Sequence, residues 1–201
     1  MRAYRVLCVL LVAMMGSIPS HAIAAPTPKP PTTQQQKAAV KEAARQAAQQ
    51  AAGDFVTIAK AKRLPFPGWS GETIDGKAWR SSSLAGRMTV VNFWASWCGP
   101  CKAEWGELVA TAEANPTVAF VGINSMDRIE SAQAFLAVNK APYVQVFDER
   151  GTMMASYRNI PHGVMPTTLI LDARGRIAAW RAGPIKQLQL QRGIRAVRAG
   201  G

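Results

Sequence analysis

The chain has 201 residues, 48% of them hydrophobic and 18% charged, a composition that excludes a mostly disordered chain and leaves room for one ordinary domain with extensions. No apolar run reaches the roughly 20 residues that span a bilayer, which excludes a multispan membrane protein, and three cysteines are too few for a disulfide scaffold or a four-sulfur zinc site. The net charge of +12 sits in the tails: residues 64–180 carry ten basic and ten acidic side chains, residues 26–63 seven and two, and residues 181–201 five and none. A nucleic-acid-binding domain would carry its basic patch on the folded body. These tails read as solvated, with peripheral attraction to an anionic membrane or cell-wall surface as the functional alternative.

Residues 1–24 have the three-part build of a secretory signal: Arg2 and Arg5, an apolar run over residues 6–15, and small residues at Ala22 and Ala24, with cleavage expected after Ala24. The alternative is an uncleaved anchor, which the shortness of the run opposes. Cleavage would discard Cys8 and His21, leaving Cys98 and Cys101 as the cysteines of a chain exported to a periplasm or another extracytoplasmic space.

Residues 25–62 read as a linker. Four prolines within residues 26–31 make an extended spacer. Residues 34–52 are almost all Ala, Gln, Lys, Glu and Arg, with Val40 the one large apolar residue, so a helix there has little to bury. Residues 63–201 are assigned to one domain.

Within it, Asp75-Gly76 between two short β-prone runs signals a hairpin. Residues 88–94 form a continuous apolar, β-branched run suited to a central strand covered on both faces. A helix is predicted over 98–114, with Trp105, Leu108, Val109 and Ala112 on one stripe. It is followed by a strand over 118–123, a helix over 128–139, a strand over 143–147, a hairpin of 167–171 with 177–180, and a helix over 185–197 with Leu188, Leu190, Ile194 and Val197 available for burial. Crossover units followed by a hairpin predict an α/β fold, a mixed central sheet flanked by helices with an added N-terminal hairpin.

The chemistry points to Trp97-Cys98-Gly99-Pro100-Cys101, where the central strand hands over to a helix. A helix start brings free N–H groups and the positive end of the dipole to Cys98, both of which favour the nucleophilic thiolate. Cys98 is then the exposed attacking sulfur and Cys101, one turn in, the buried resolving sulfur. A plain structural disulfide would close too small a loop to stabilise much. Zinc would leave two thiolates and His162 short of four ligands.

These residues resemble the thioredoxin fold, and within it the exported TlpA/ResA/DsbE-like thiol-disulfide oxidoreductases. The resemblance spans residues 64–184 and rests on the run from Val90 to Glu104, on Gly163-Val164-Met165-Pro166-Thr167-Thr168, and on Asp172-Ala173-Arg174-Gly175-Arg176. It implies a cis Pro166 facing the cysteines, with Met165 and Pro166 joining Trp97, Gly99 and Pro100 around the docked substrate. It implies that Glu104, near the face of Cys101, handles protons, while Asn92 replaces the buried aspartate of thioredoxin and cannot titrate. Many relatives carry proline where this chain has Gly106, a position where its helix would bend differently. The activity implied is reduction of client-protein disulfides through the Cys98–Cys101 dithiol, with no dissociable cofactor or metal. The implied clients include apocytochrome c and proteins of copper-site assembly, and the implied electron source is a membrane donor of the DsbD/CcdA type. The alternatives are a thiol oxidase running in the opposite direction and a metal-binding chaperone or adaptor.

Overall fold

The computed structural model describes residues 32–51, 53–157, 160 and 163–200. The signal-like segment, the proline-rich spacer and His162 lie outside them. The elements in chain order are α1 (Thr33–Ala51), β1 (Val56–Thr57), β2 (Ser70–Thr73), β3 (Ala78–Arg80), β4 (Thr89–Trp94), α2 (Gly99–Glu113), β5 (Ala119–Ser125), α3 (Ile129–Val138), β6 (Val144–Asp148), α4 (Thr152–Ala155), β7 (Thr167–Leu171), β8 (Ile177–Ala182) and α5 (Gln187–Ala199). The eight strands form one mixed sheet in the order β1-β8-β7-β4-β5-β6-β2-β3. β4, β5 and β6 run parallel, joined by α2 and α3, and the remaining pairs are antiparallel.

All six residues of β4 are buried, as its unbroken apolar run requires of a strand covered on both faces. Alternate residues feed two cores. Val91 and Phe93 join Val121, Ile123, Leu169, Trp180 and the side chains of α4 on one face. Val90 joins Leu108 of α2 and Leu190, Ile194 and Val197 of α5 on the other. Leu188, expected among the buried residues of α5, is 67% exposed. It lies off the stripe made by Leu190, Ile194 and Val197, and helical spacing turns it to solvent.

β2 and β3 pair across Asp75-Gly76, where Gly76 takes φ +80°, a conformation that costs glycine nothing. At the other edge of the sheet the domain begins before residue 63. β1 pairs with β8 through Val56 and Thr57, and Phe55 and Val56 are 4% and 0% exposed. Residues 53–62, read as linker because they follow an Ala/Gln/Lys-rich tract, belong to the packed body. Residues 33–45 of α1 are exposed apart from a half-buried Glu42, as their composition predicts. Its N-terminus is capped by reciprocal hydrogen bonds between Thr32 and Gln35, and Arg45 donates to the carbonyl oxygen of Thr57 at 3.1 Å.

Candidate active site

β4 ends at Trp94, and the chain turns through Ala95, Ser96 and Trp97 into α2, whose N-cap is Cys98. Cys98 and Cys101 are joined by a disulfide. The Cys101 N–H donates to Cys98 Sγ at 3.2 Å, so the first turn of the helix directs its unpaired donors at this sulfur. Gly99 and Pro100 fill the first two helical positions and are exposed. Proline costs nothing there, because its missing N–H would have had no carbonyl partner. Once the disulfide is opened, the helix end favours negative charge on Cys98 over Cys101, which lies a turn further along.

Cys101 is buried as expected, at 1% exposure, but Cys98 exposes only 4%. In this oxidised state its sulfur is tied to Cys101, and both cysteines belong to an apolar cluster with Trp94, Trp105 and Ala132, against which Met165 packs. Trp105 meets Trp94 and Phe135 edge-on and Trp94 meets Phe135 at a tilt, with ring centroids 4.9–5.2 Å apart, which packs this floor tightly.

The loop before Cys98 is held by a residue that the sequence reading did not single out. Asp127, after β5, accepts from the Ser96 N–H at 2.6 Å, the Ser96 hydroxyl at 2.9 Å, Asn124 Nδ2 at 2.8 Å and the Arg128 N–H at 2.8 Å. The adjacent Met126 carbonyl accepts from the Trp97 indole N–H at 2.8 Å. Met126 takes φ 54°, uncommon for a residue with a side chain. The available signal was an acidic residue between a strand and a helix, which reads as a helix cap and here also reaches back to Ser96. Trp97 is 58% exposed, with Met126 and Val164 exposed beside the same strand ends. An open hollow of about 520 Å³ is lined by Ser96, Trp97, Met126, Asp127, Arg128 and Glu149 among others.

The Met165–Pro166 peptide is cis. Thr167, which follows it, lies opposite Phe93 in the β4–β7 register, so this loop and Cys98 occupy the same end of the sheet. The Pro166 carbonyl accepts from the Gly183 N–H, and the Thr167 hydroxyl donates to the Val164 carbonyl. Pro166 itself is buried and Met165 half-buried, which leaves Gly163 and Val164 as the exposed part of the loop.

Glu104 lies on α2 one turn beyond Cys101, on the same face, and is 2% exposed. Oε1 accepts from Asn92 Nδ2 at 2.8 Å, and Oε2 accepts from the Ile185 N–H at 2.8 Å. The Asn92 amide also donates to the Thr168 hydroxyl across the strand pair. Burial pushes the carboxyl up to about 7, against the opposing pull of the Ile185 and Asn92 donors and the Arg181 charge. A turn further on, Glu107 accepts from the Gln187 N–H at 3.0 Å and pairs with Lys186. Two glutamates of α2 thus clasp the start of α5. The helix runs unbroken through Gly106.

Among the described residues, no group of three His, Cys, Asp or Glu side chains is placed to hold a metal ion. An apolar cavity of about 510 Å³ lined by Ile58, Leu64, Tyr157 and Trp180 among others shares no residue with the cysteine pair or the cis-proline loop.

A mixed sheet that carries a C-x-x-C disulfide at a helix start, beside a cis-proline loop, defines a thioredoxin-fold protein with a redox-capable cysteine pair. Residues 63–180 match the AhpC/TSA family, and the chain belongs to it. It is 33% identical over 117 residues to the thiol:disulfide interchange protein HelX of Rhodobacter capsulatus, covering 57% of this chain and 63% of that one. It is 32% identical over 125 residues to the sporulation thiol-disulfide oxidoreductase A of Bacillus subtilis, covering 60% and 73%. The fold superposes on the crystal structure of a DsbF homologue from Corynebacterium diphtheriae with TM-score 0.66 and 26% identity, over 71% of this chain and 92% of the other.

Proposed function

We propose that this chain is an exported thiol-disulfide oxidoreductase that reduces disulfides in client proteins. The observation that carries the reading is the Cys98–Cys101 disulfide at the start of α2, with a buried carboxyl one turn behind it. In the reduced protein, the Cys98 thiolate attacks a client disulfide, forming a mixed disulfide and expelling one client thiolate. The Cys101 thiolate then attacks Cys98 Sγ, closing the internal disulfide and releasing the second client sulfur. Two electrons pass to the client. Glu104 accepts the Cys101 proton as that sulfur becomes a nucleophile and returns it when the pair is reduced again. Trp97, Gly99, Pro100 and the cis-proline loop around Met165 and Pro166 frame the docked client backbone.

The signal-like segment over residues 1–24 supports export, and the descriptions of the two relatives as thiol-disulfide proteins support the exchange chemistry. Apocytochrome c and copper-site proteins are the clients that the resemblance suggests, with a membrane donor of the DsbD/CcdA type restoring the dithiol. The chemistry needs no dissociable cofactor.

The deciding measurement is the reduction potential of the Cys98–Cys101 pair against a thiol buffer. A value at or below about −250 mV, near thioredoxin, is expected for a reductase, and a value near about −120 mV, near DsbA, reverses the direction of electron flow. In the same assay, Cys101→Ser is expected to accumulate a mixed disulfide with a client, and Cys98→Ser to form none.

A further inference from the structure

The tertiary structure gathers unpaired basic side chains at one pole, where the sequence reading had placed the basic excess only in the tails. β4 rises from Thr89 to the cysteine end, and β7 descends from Thr167 to Leu171. The β7–β8 turn, with Arg174 and Arg176, therefore lies at the end of the sheet opposite Cys98. Arg63 is held there by Asp172 at 3.2 Å and by the Gly200 carbonyl at 3.2 Å. The last turns of α5, carrying the exposed Arg195 and Arg198, end at the same place, and Lys62 is one residue from Arg63. Asp172 is the acid at the centre of this group, and its side chain is only 7% exposed and is shared by Arg63 and Arg176. Lys62, Arg174, Arg195 and Arg198 have no ion pair among the described residues. The cysteine end carries both signs, with Asp127, Glu130, Asp148 and Glu149 alongside Lys102, Arg128, Arg150 and Arg181.

The N-terminal chain leaves from the basic pole. Gly53, just beyond α1, meets Gln189 near the start of α5. Arg45 lies beside Thr57, and Glu42 lines the cavity with Lys62 and Leu64. α1 thus descends towards the basic pole as it is followed back to Thr33, and its first nine residues continue for about 13 Å, carrying the exposed Lys37 and Lys41.

We infer that the pole opposite Cys98, where Lys62, Arg174, Arg195 and Arg198 surround the Asp172 ion pairs, docks on an anionic phospholipid bilayer and presents the cysteine pair away from it. Basic side chains near such a surface are drawn to it within a Debye length. An exported chain, as proposed above, meets an anionic bilayer rather than nucleic acid, which favours lipid as the partner.

The test uses the chain from residue 25, unilamellar vesicles of phosphatidylcholine with and without phosphatidylglycerol, and a short duplex DNA. The expected result is a preference for the phosphatidylglycerol vesicles that fades with added salt. The variant K62Q/R174Q/R195Q/R198Q, which removes none of the side-chain hydrogen bonds described above, is expected to weaken that binding on the order of 1,000-fold while keeping its disulfide-exchange rate. The equal-charge control K77Q/R80Q/K140Q/R150Q is expected to bind close to the unaltered chain. Equal binding to both vesicle types, an equal loss in both variants, or tighter binding to DNA than to the anionic vesicles overturns the inference. Because exchange is read separately, failure here leaves the proposed redox activity standing, and the reverse holds.

Discussion

Glu104 shows how a single side chain acquires a shifted titration from its surroundings. In an unfolded chain its carboxyl titrates near 4.5; buried against α5 and β4, it titrates at about 7. Between these values the folded protein holds a proton that the unfolded chain has released, so this residue's contribution to stability falls as pH rises from 4.5 to 7 and is level above that. The difference is on the order of 3 kcal/mol. Glu104→Gln removes the titration, and its amide leaves either the Ile185 or the Asn92 donor facing another donor, which costs about 1–3 kcal/mol at any pH. Urea unfolding of the oxidised proteins is therefore expected to find the variant less stable at pH 4.5, with the deficit closing or inverting by pH 8. In the reduced protein the same substitution is expected to shift the Cys101 titration and flatten the pH dependence of exchange. Unchanged cysteine titrations and rates would remove Glu104 from the proton path.

At the scale of elements, the junction between β4 and α2 is the part that the site depends on. It is braced by the turn after β5, because β4 and β5 are parallel neighbours and end side by side, with Trp94 opposite Asn124. Asp127 converts that adjacency into four hydrogen bonds, two of them to Ser96. Asp127→Ala is expected to cost about 2–4 kcal/mol, since it strands the partly buried Ser96 N–H as well as removing the other bonds. Asp127→Asn, which keeps one carbonyl oxygen, should cost less. Chemical denaturation measures both, and Trp97 fluorescence reports whether the loop has shifted. A second brace crosses from Gln145 of β6, whose Oε1 accepts from the Trp94 indole at 2.9 Å. Its side chain lies over Gly122, where a Cβ would collide with it, so glycine in mid-strand leaves room for the amide that holds the floor of the site.

For the molecule as a whole, the body closes only when residues 53–62 are included. Phe55 enters the core beneath α5, Val56 enters the core on the opposite face, and β1 covers the edge of β8. Exposed strand edges are open to pairing with other chains, so this short strand protects the fold as well as filling it. A chain starting at residue 53 is expected to melt close to the full-length protein. One starting at residue 63 loses two buried side chains worth about 1.5–3 kcal/mol each along with the edge pairing, and is expected to melt several degrees lower and to aggregate on heating. Differential scanning calorimetry with light scattering checks both.

The linear sequence by itself determined the identity and order of the elements from β2 onwards except the short helix α4, the C-x-x-C at a strand-to-helix junction, and the hairpin at Asp75-Gly76. These depend on local periodicity, turn chemistry and spacing, which are complete within a dozen residues. The cis Pro166 and the burial of Glu104 were legible through family resemblance rather than from local pattern. Only the tertiary structure decided the roles of Asp127, of Gly122 and of the Ile185 N–H, the place of Phe55 and Val56, and the near-complete burial of Cys98 in the oxidised state. Each depends on which segments distant in the chain become neighbours, and a hydrogen bond or a buried face is defined by its partner. The charge of the tails was countable from composition, but its gathering at the pole opposite Cys98 follows from strand direction and from where α1 and α5 meet β1, which only the folded chain specifies.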